Sequence, residues 1–173
     1  MPAFDPKPFA VRYTDDAVAD LKSRLKSTRF PDAVEGAGWD YGTNPQFLEK
    51  LVAHWADRFD FAAEEQRLNA FPQFTVEIDG ETVHYVHVNG KGGIRTPILL
   101  TNGWPSNFVE LLPLVPLLTE LVNGQSYDVI IPSLPGFGFS SKARKPGMNL
   151  TRVADLWARL MSGLGYERVL ISG

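Results

Sequence analysis

One short segment combines residue types that can stabilise negative charge through the backbone. Within residues 99–106, an apolar stretch runs directly into Asn102-Gly103-Trp104-Pro105. Gly103 permits an unusual turn, and Pro105 disfavours helical geometry at Trp104. At the carboxyl end of a parallel strand, such a turn would present the Trp104 backbone N–H to an oxyanion in a crevice of low dielectric. A tight strand-to-helix connection with Trp104 in the core explains the same residues equally well.

The three histidines do not suggest a metal site. His84 and His87 are three residues apart in an alternating segment, so their side chains point to opposite faces of a strand. His54 lies on the polar side of a helical stripe and is expected in solvent. Because the chain has no cysteine, thiolate catalysis and cysteine-ligated metals are excluded as well. We therefore expect neither a metal nor another cofactor.

Two other common functional motifs are missing from the sequence. There is no Gly-x-Ser-x-Gly nucleophile elbow, and residues 135–139 lack the lysine and the third glycine of a phosphate-binding loop. A serine hydrolase of the usual type and a nucleotide-binding protein are therefore disfavoured. The net charge of −3, from 17 basic and 20 acidic residues, offers no basic surface for nucleic acid.

In the first part of the chain, before residues 99–106, apolar residues recur mainly at helical spacing. Residues 14–29 predict a helix that Thr14 can cap and that Pro31 ends. A second amphipathic helix is predicted to begin near Pro45, because apolar residues recur at helical spacing through 47–59. These helices form a predicted N-terminal arm.

The spacing then changes from helical to alternating. Residues 74–87 predict a β-hairpin around an Asp79-Gly80 turn. Beyond it, apolar strands alternate with helices, the strands at 97–101, 127–131 and 168–171 and the helices at 107–121 and 150–164. Fully apolar strands separated by helices are typical of a parallel sheet that is covered on both faces. The predicted fold class is α/β, preceded by the helical arm.

Length and composition fit a globular protein. The 173 residues are 44% hydrophobic and 21% charged, which is an ordinary globular balance. The N-terminus has neither the basic start nor the apolar stretch of a signal peptide, and no apolar run approaches the ~20 residues that cross a bilayer. With no cysteine present, these features predict a cytoplasmic protein without a membrane or nucleic-acid partner.

The last residues predict a sheet that continues. Residues 170–173 have the pattern of a buried strand entering a turn, and only two crossover helices precede them. A parallel sheet needs helices on both faces. We expect residues 1–73 to form a helical region and residues 74–173 to form the front part of an incomplete α/β domain.

Several stretches, in order along the chain, match one known pattern. Residues 29–32, 38–42 and 67–74 lie in the arm, Asn102-Gly103-Trp104-Pro105 follows the first parallel strand, and residues 129–140 span the second strand and its loop. Together they resemble the microsomal-type epoxide hydrolases of the α/β-hydrolase family, whose oxyanion motif is His-Gly-X-Pro. The resemblance covers nearly the whole chain and implies the helical arm and the first half of an α/β-hydrolase sheet.

This resemblance implies hydrolysis of a small apolar epoxide to a vicinal diol, without a cofactor. In the family, an Asp attacks the epoxide carbon to form an ester, tyrosines of a lid polarise the ring oxygen, and a His activates water. By the match of motif, Trp104 would supply one backbone N–H of the oxyanion hole, within a turn formed with Asn102, Gly103 and Pro105. The residue after the nucleophile would supply the other N–H.

The chain departs from the family pattern in two places. Asn102 stands where the family usually has His, and an amide can form hydrogen bonds but cannot become cationic. Ser172-Gly173 resembles the approach to the nucleophile elbow Gly-Gly-Asp-Trp-Gly, so the nucleophile, the lid tyrosines and the catalytic His are absent from the chain. We therefore expect an N-terminal portion of an epoxide hydrolase that is inert by itself.

Two alternatives stay open from the sequence. A non-catalytic module would use the arm and the half-sheet for binding or dimerisation, although an uncovered strand edge favours aggregation. A haloalkane dehalogenase or an esterase would share the sheet, but the arm signatures around Trp39 and Asn69 favour an epoxide hydrolase over both.

Overall fold

The computed structural model describes residues 4–173 as a mixed α/β structure with one six-stranded sheet. The strands are β1 (Lys7–Phe9), β2 (Gln73–Ile78), β3 (Glu81–Val88), β4 (Ile94–Leu100), β5 (Gln125–Pro132) and β6 (Leu170–Ser172). The α-helices are α1 (Asp15–Lys26), α2 (Pro45–Asp57), α3 (Phe61–Asn69), α4 (Leu114–Thr119) and α5 (Leu150–Gly163), and a short 3-10 helix covers Phe108–Leu111.

Contacts divide the chain into two compact units. One unit comprises residues 11–67 and contains α1, α2 and most of α3. The other combines residues 4–10 with 68–173 and contains the whole sheet, because β1 pairs with β2. The sequence patterns do not predict β1, since three residues are too few to show a period. The division into domains at residue 73 stays a prediction.

Side-chain caps define the first two helices of the 11–67 unit. The Thr14 hydroxyl accepts a hydrogen bond from the Ala17 N–H at 3.3 Å, as predicted, and α1 ends at Lys26, three residues before the predicted boundary. The Asn44 side chain accepts from the Phe47 N–H at 3.1 Å and thereby begins α2. Such caps satisfy N–H groups that have no partner within the helix.

Helix α3 is absent from the sequence prediction. Its nine residues include one fully buried side chain, Leu68, so it shows no apolar stripe along the chain. The helix is instead held by polar contacts, one at its N-terminus and one to a residue 52 positions earlier in the chain. Asp60 Oδ1 accepts from the Ala63 N–H at 2.9 Å, and Glu65 accepts from the Tyr13 N–H at 2.7 Å.

The sheet has the strand order β1-β2-β3-β5-β4-β6. The first four strands in this order pair antiparallel, while β4 is parallel to both β5 and β6. The predicted hairpin is confirmed: Asp79 and Gly80 connect β2 to β3 with φ angles of 54° and 82°. Two successive positive φ angles suit a tight hairpin turn, for which Asp-Gly is a preferred sequence.

Helix α5 covers one face of the sheet. Its buried residues include Leu156 and Leu160, which belong to one core cluster with Val83 and Tyr85 of β3 and Leu99 of β4. Alternation along β3 sends Val83 and Tyr85 to this face and the intervening His84 to the other. The α/β fold class is therefore confirmed.

The predicted single helix over residues 107–121 is wrong. The structure has a 3-10 helix, Phe108–Leu111, followed by the short helix α4. Pro113 lies between the two helices and precedes α4 directly. Because proline has no N–H and clashes with the preceding turn, it is tolerated at a helix start but not inside a continuous helix.

Candidate active site at the carboxyl ends of β4 and β5

The predicted oxyanion segment begins where β4 ends. Thr101 donates its backbone N–H to the Ser172 carbonyl of β6 at 2.9 Å, which holds the start of the segment to the sheet. Ser106 then donates its N–H to the Gly103 carbonyl at 2.9 Å, and Asn102 Nδ2 donates to the Ser106 carbonyl at 2.9 Å. These bonds close the 102–106 loop at the carboxyl end of a parallel strand, the position the sequence predicts.

Trp104 lies in the middle of the 102–106 loop. Trp104 is 84% exposed, so it is not part of a core formed by residues 4–173. Its peptide bond to Pro105 is cis. No acceptor within residues 4–173 receives a hydrogen bond from the Trp104 backbone N–H. The N–H is therefore available to a ligand, and its role in an oxyanion hole stays a prediction.

In the side-chain amide of Asn102, the nitrogen forms a hydrogen bond, whereas the oxygen has no partner within residues 4–173. Its Nδ2 holds the Ser106 carbonyl, whereas its Oδ1 is buried and has no hydrogen-bond partner among residues 4–173. Buried acceptors without a donor are uncommon in folded proteins. Oδ1 is thus open to a donor that the described part of the chain does not supply.

A second loop, residues 133–140, follows β5 at the same edge of the sheet. It is tied to β3 because Ser133 donates its N–H to the His84 carbonyl at 2.8 Å, and the His84 N–H is held by Ser140 Oγ at 3.0 Å. Ser140 Oγ in turn donates to the Ser133 carbonyl at 2.7 Å. At Gly138, φ is 50° and an added Cβ would lie 2.7 Å from Ser133 Oγ, so only glycine fits there without displacement.

His84 is the functional candidate that sequence reasoning missed. Its ring is fully buried, with Nδ1 2.9 Å from Ser133 Oγ and Nε2 3.0 Å from Gln73 Oε1. Burial lowers the pKa of His84 to about 4, so the ring is neutral near pH 7. A histidine among apolar residues of a predicted strand is the available signal, but its partners are 11 and 49 positions away in the sequence.

The other two histidines have different surroundings. His87 Nε2 is 3.1 Å from the Tyr166 hydroxyl, which donates to Asp128 Oδ2 at 3.1 Å. His84 has none of these partners, consistent with the predicted opposite faces. Burial raises the pKa of Tyr166 to about 12, so the phenol keeps its proton near pH 7. His54 is exposed on α2.

Neither a metal cluster nor a membrane helix is found in the described part of the chain. Over residues 4–173, no group of three or more His, Asp or Glu side chains is arranged to hold a metal ion. In the same part of the chain, no helix combines the length and the apolar character that a bilayer crossing requires.

Comparison with known proteins gives two family matches. The family described as "Epoxide hydrolase N terminus" matches residues 6–111, and "alpha/beta hydrolase fold" matches residues 96–173. A protein of Stigmatella aurantiaca, provisionally named an epoxide hydrolase, is 41% identical over 171 residues, which are 96% of this chain and 39% of that protein. Epoxide hydrolase 1 of Oryctolagus cuniculus is 33% identical over 176 residues, and the match again covers 96% of this chain and 39% of that protein.

The fold of a solved relative agrees with these matches. The crystal structure of juvenile hormone epoxide hydrolase from the silkworm Bombyx mori has a TM-score of 0.91 and 34% sequence identity. It covers 97% of this chain, and the match covers 41% of the silkworm chain. The chain thus spans about two fifths of the length of the curated relatives it matches. Because the N-terminal family pattern covers more than half of its residues, the chain belongs to the epoxide hydrolase family and corresponds to the N-terminal part of these enzymes.

Proposed function

We propose that this chain supplies the N-terminal part of the active site of an epoxide hydrolase, which converts a small apolar epoxide and water into a vicinal diol. One observation carries the proposal. The Trp104 backbone N–H has no acceptor among residues 4–173, and it follows β4 in a chain of the epoxide hydrolase family. An N–H of this kind, fixed by its own loop, is the group that an oxyanion hole requires.

The proposed reaction proceeds through an ester. A carboxylate attacks one epoxide carbon, the ring C–O bond breaks, and the ring oxygen gains a proton. Water then loses a proton and adds to the ester carbonyl, which produces a tetrahedral intermediate with a negatively charged oxygen. The Trp104 N–H donates to that oxygen, together with the N–H that follows the nucleophile. As the intermediate collapses, the C–O bond to the diol breaks and the leaving oxygen takes a proton. The carboxyl group loses a proton to regenerate the carboxylate, so the reaction needs no cofactor.

The remaining groups are assigned by the family pattern to the part of the enzyme that this chain does not contain. They are the nucleophilic carboxylate, the lid tyrosines and the catalytic histidine. We therefore propose that the 173-residue chain alone does not turn over epoxides. We also propose a helical region at residues 1–73, the front of a hydrolase domain at residues 74–173, and a cytoplasmic location.

A chimeric enzyme tests this function directly. Residues 1–173 are joined to the part of the silkworm enzyme that follows its matched segment, and diol formation from styrene oxide is measured. We expect turnover by the chimera and none by the 173-residue chain alone. A folded chimera that forms no diol, beside an active silkworm enzyme, would contradict the proposed function. Diol formation by the chain alone would contradict its proposed inactivity.

Two substitutions at Trp104 test the backbone N–H within the same chimera. Trp104→Pro removes the N–H, whereas Trp104→Phe keeps it and changes only the side chain. Loss of one oxyanion donor lowers kcat by roughly 10²–10³-fold, so this is the expected loss for Trp104→Pro. We expect Trp104→Phe to keep kcat within a few-fold of the parent. Equal losses in both variants would show that the side chain is the important group and would contradict the proposed role.

A further inference from the structure

The buried ring of His84 lies between the 133–140 loop and Phe108, which follows the 102–106 loop in the chain. His84 belongs to β3, and besides Gln73 of β2 and Phe9 of β1 its ring contacts residues that follow β4 and β5. One is Phe108, two residues beyond the 102–106 loop, with ring centroids 5.0 Å apart. The others are Ser133 and Phe139 of the 133–140 loop, the latter with centroids 5.2 Å apart. A single side chain therefore touches the segments after two neighbouring parallel strands.

Gln73 determines which nitrogen of His84 carries the proton. Gln73 Nε2 donates to the Leu68 carbonyl at 2.8 Å, so its Oε1 faces the ring as an acceptor. His84 Nε2 must then be the donor, which leaves Nδ1 to accept the Ser133 hydroxyl proton at 2.9 Å. This neutral tautomer satisfies the ring together with both partners, and it gives the contact with the 133–140 loop a fixed direction.

Among residues 4–173, no charged side chain forms a hydrogen bond with the His84 ring. The hydrogen-bond partners of the ring within residues 4–173 are Gln73 and Ser133, and its aromatic neighbours are Phe9, Phe108 and Phe139. The phenylalanines also touch one another, with Phe108 and Phe139 centroids 5.9 Å apart. Phe108 and the 133–140 loop are thus both held against the ring, Phe108 by an aromatic contact and the loop by an aromatic contact and one hydrogen bond.

We propose that His84 is a positioning residue for the active site: its hydrogen-bonded ring holds the 133–140 loop and Phe108 together, and through them sets the position of the Trp104 N–H. The functional part of this inference rests on the proposed function, because the location of that N–H matters only if it receives an oxyanion. The coupling between the loops is a property of the chain itself and is measurable without turnover.

Amide hydrogen exchange on the 173-residue chain tests the coupling. His84→Phe keeps an aromatic ring but removes both hydrogen bonds and leaves Ser133 and Gln73 unpaired. The Ser106 N–H, bonded to Gly103, reports on the 102–106 loop, and the Phe137 N–H reports on the 133–140 loop. We expect both amides to exchange roughly tenfold faster or more. An unpaired buried polar group lowers the local stability, and this raises the population of the open state from which the amides exchange.

His87→Phe is the matched control. It removes the hydrogen bond of another largely buried histidine on the same strand, directed toward Tyr166 on the opposite face. We expect the two reporter amides to stay within about twofold of the unsubstituted chain, as is usual for sites without shared partners. Ser133→Ala is a second test if His84→Phe does not fold, because it removes the Nδ1 partner and is expected to accelerate exchange at Ser106 as well.

Two exchange results would overturn the inference. In one, Phe137 is accelerated while Ser106 is unchanged, which would show that the loops are not coupled through His84. In the other, all amides including those of β5 accelerate equally, which would indicate general destabilisation only. Nitrogen NMR of the His84 ring adds a direct signature: the expected state has the proton on Nε2, and a proton on Nδ1 would contradict the hydrogen-bond directions.

The chimera separates this inference from the proposed function. If the chimera is active, His84→Phe is expected to lower kcat roughly tenfold while KM changes little, since a displaced N–H affects the transition state and not substrate binding. An active chimera whose kcat is unaffected by His84→Phe overturns the positioning role alone. An inactive chimera contradicts the proposed function, and the exchange experiment still decides whether His84 couples the loops.

Discussion

Trp104 and His84, at the same edge of the sheet, differ in whether their nitrogen atoms have hydrogen-bond partners. The Trp104 N–H has no acceptor in residues 4–173, whereas both ring nitrogens of His84 are engaged. The difference follows from burial. Water can form the hydrogen bond of an exposed N–H, but it cannot reach a buried imidazole, which needs partners within the protein. A group that is to bind a developing charge must be free, and a group that supports it must be fixed.

Lowering the pH is expected to destabilise the fold through His84. Burial lowers the pKa of His84 to about 4, whereas an unfolded chain has a histidine pKa of about 6.5. Between these values the unfolded chain binds a proton that the folded chain does not, so stability falls as the pH falls. At pH 5 the loss relative to pH 7 is about 2 kcal/mol, measurable by urea unfolding at both pH values.

The His84→Phe variant isolates this contribution. It has no titrating group at position 84, so its stability is expected to fall by about 2 kcal/mol less between pH 7 and pH 5 than that of the unsubstituted chain. Carboxylates and His87 contribute equally to both proteins and cancel in the comparison. The same pH dependence in the two proteins would contradict the assignment to His84.

Among the elements, the loops after β4 and β5 require the most specific local chemistry. The 133–140 loop contains two glycines with positive φ, Gly136 at 84° and Gly138 at 50°. They differ in their surroundings: a Cβ on Gly136 would meet nothing within 4 Å, but one on Gly138 would approach Ser133 Oγ to 2.7 Å and Phe108 Cδ1 to 3.3 Å. Gly138 therefore permits the close approach of the loop to the groups that surround His84.

This difference predicts unequal effects of alanine in the loop. Gly136→Ala introduces only the strain of a positive φ, which costs about 1 kcal/mol. Gly138→Ala adds a contact that must displace Ser133 or Phe108, so it is expected to be more destabilising by roughly 1–3 kcal/mol. Urea unfolding of the two variants measures the difference. Equal destabilisation would show that backbone strain alone decides the effect and that the close contact is unimportant.

For the whole molecule, the notable feature is the outermost strand β6. Within residues 4–173 it pairs only with β4, and its three residues are all exposed, with Ile171 at 70%. An apolar strand edge of this kind is a template for pairing with another chain. In relatives that are more than twice as long as this chain, additional residues are available to cover such a strand.

We expect the 173-residue chain to self-associate through β6. Ile171→Lys places a charge on the strand and is expected to raise the concentration at which association begins several-fold. Leu117→Lys on α4 is the matched control, because Leu117 is 71% exposed but lies on a helix. Light scattering over a concentration series measures both. Equal improvement by the two variants would attribute association to general apolar exposure and not to the strand.

The sequence alone determined the family and the main elements of the fold. Local rules were sufficient for the Thr14 cap, the Asp79-Gly80 turn and the alternation that places His84 and His87 on opposite faces, because each depends on residues close together in the chain. The ordered motifs carried the family resemblance, which the comparisons confirmed. The position of residues 102–106 after a parallel strand followed from the alternation of strands and helices.

Only the tertiary structure determined which distant residues meet. Strand β1 joins the sheet through pairing with residues more than sixty positions later in the chain. Its three residues are too few to show the alternation that predicts a strand. The His84 ring acquires its function from Gln73 and Ser133, which strand pairing brings within 3.0 Å. Hydrogen bonds and burial depend on separation in space, and a sequence specifies separation only along the chain.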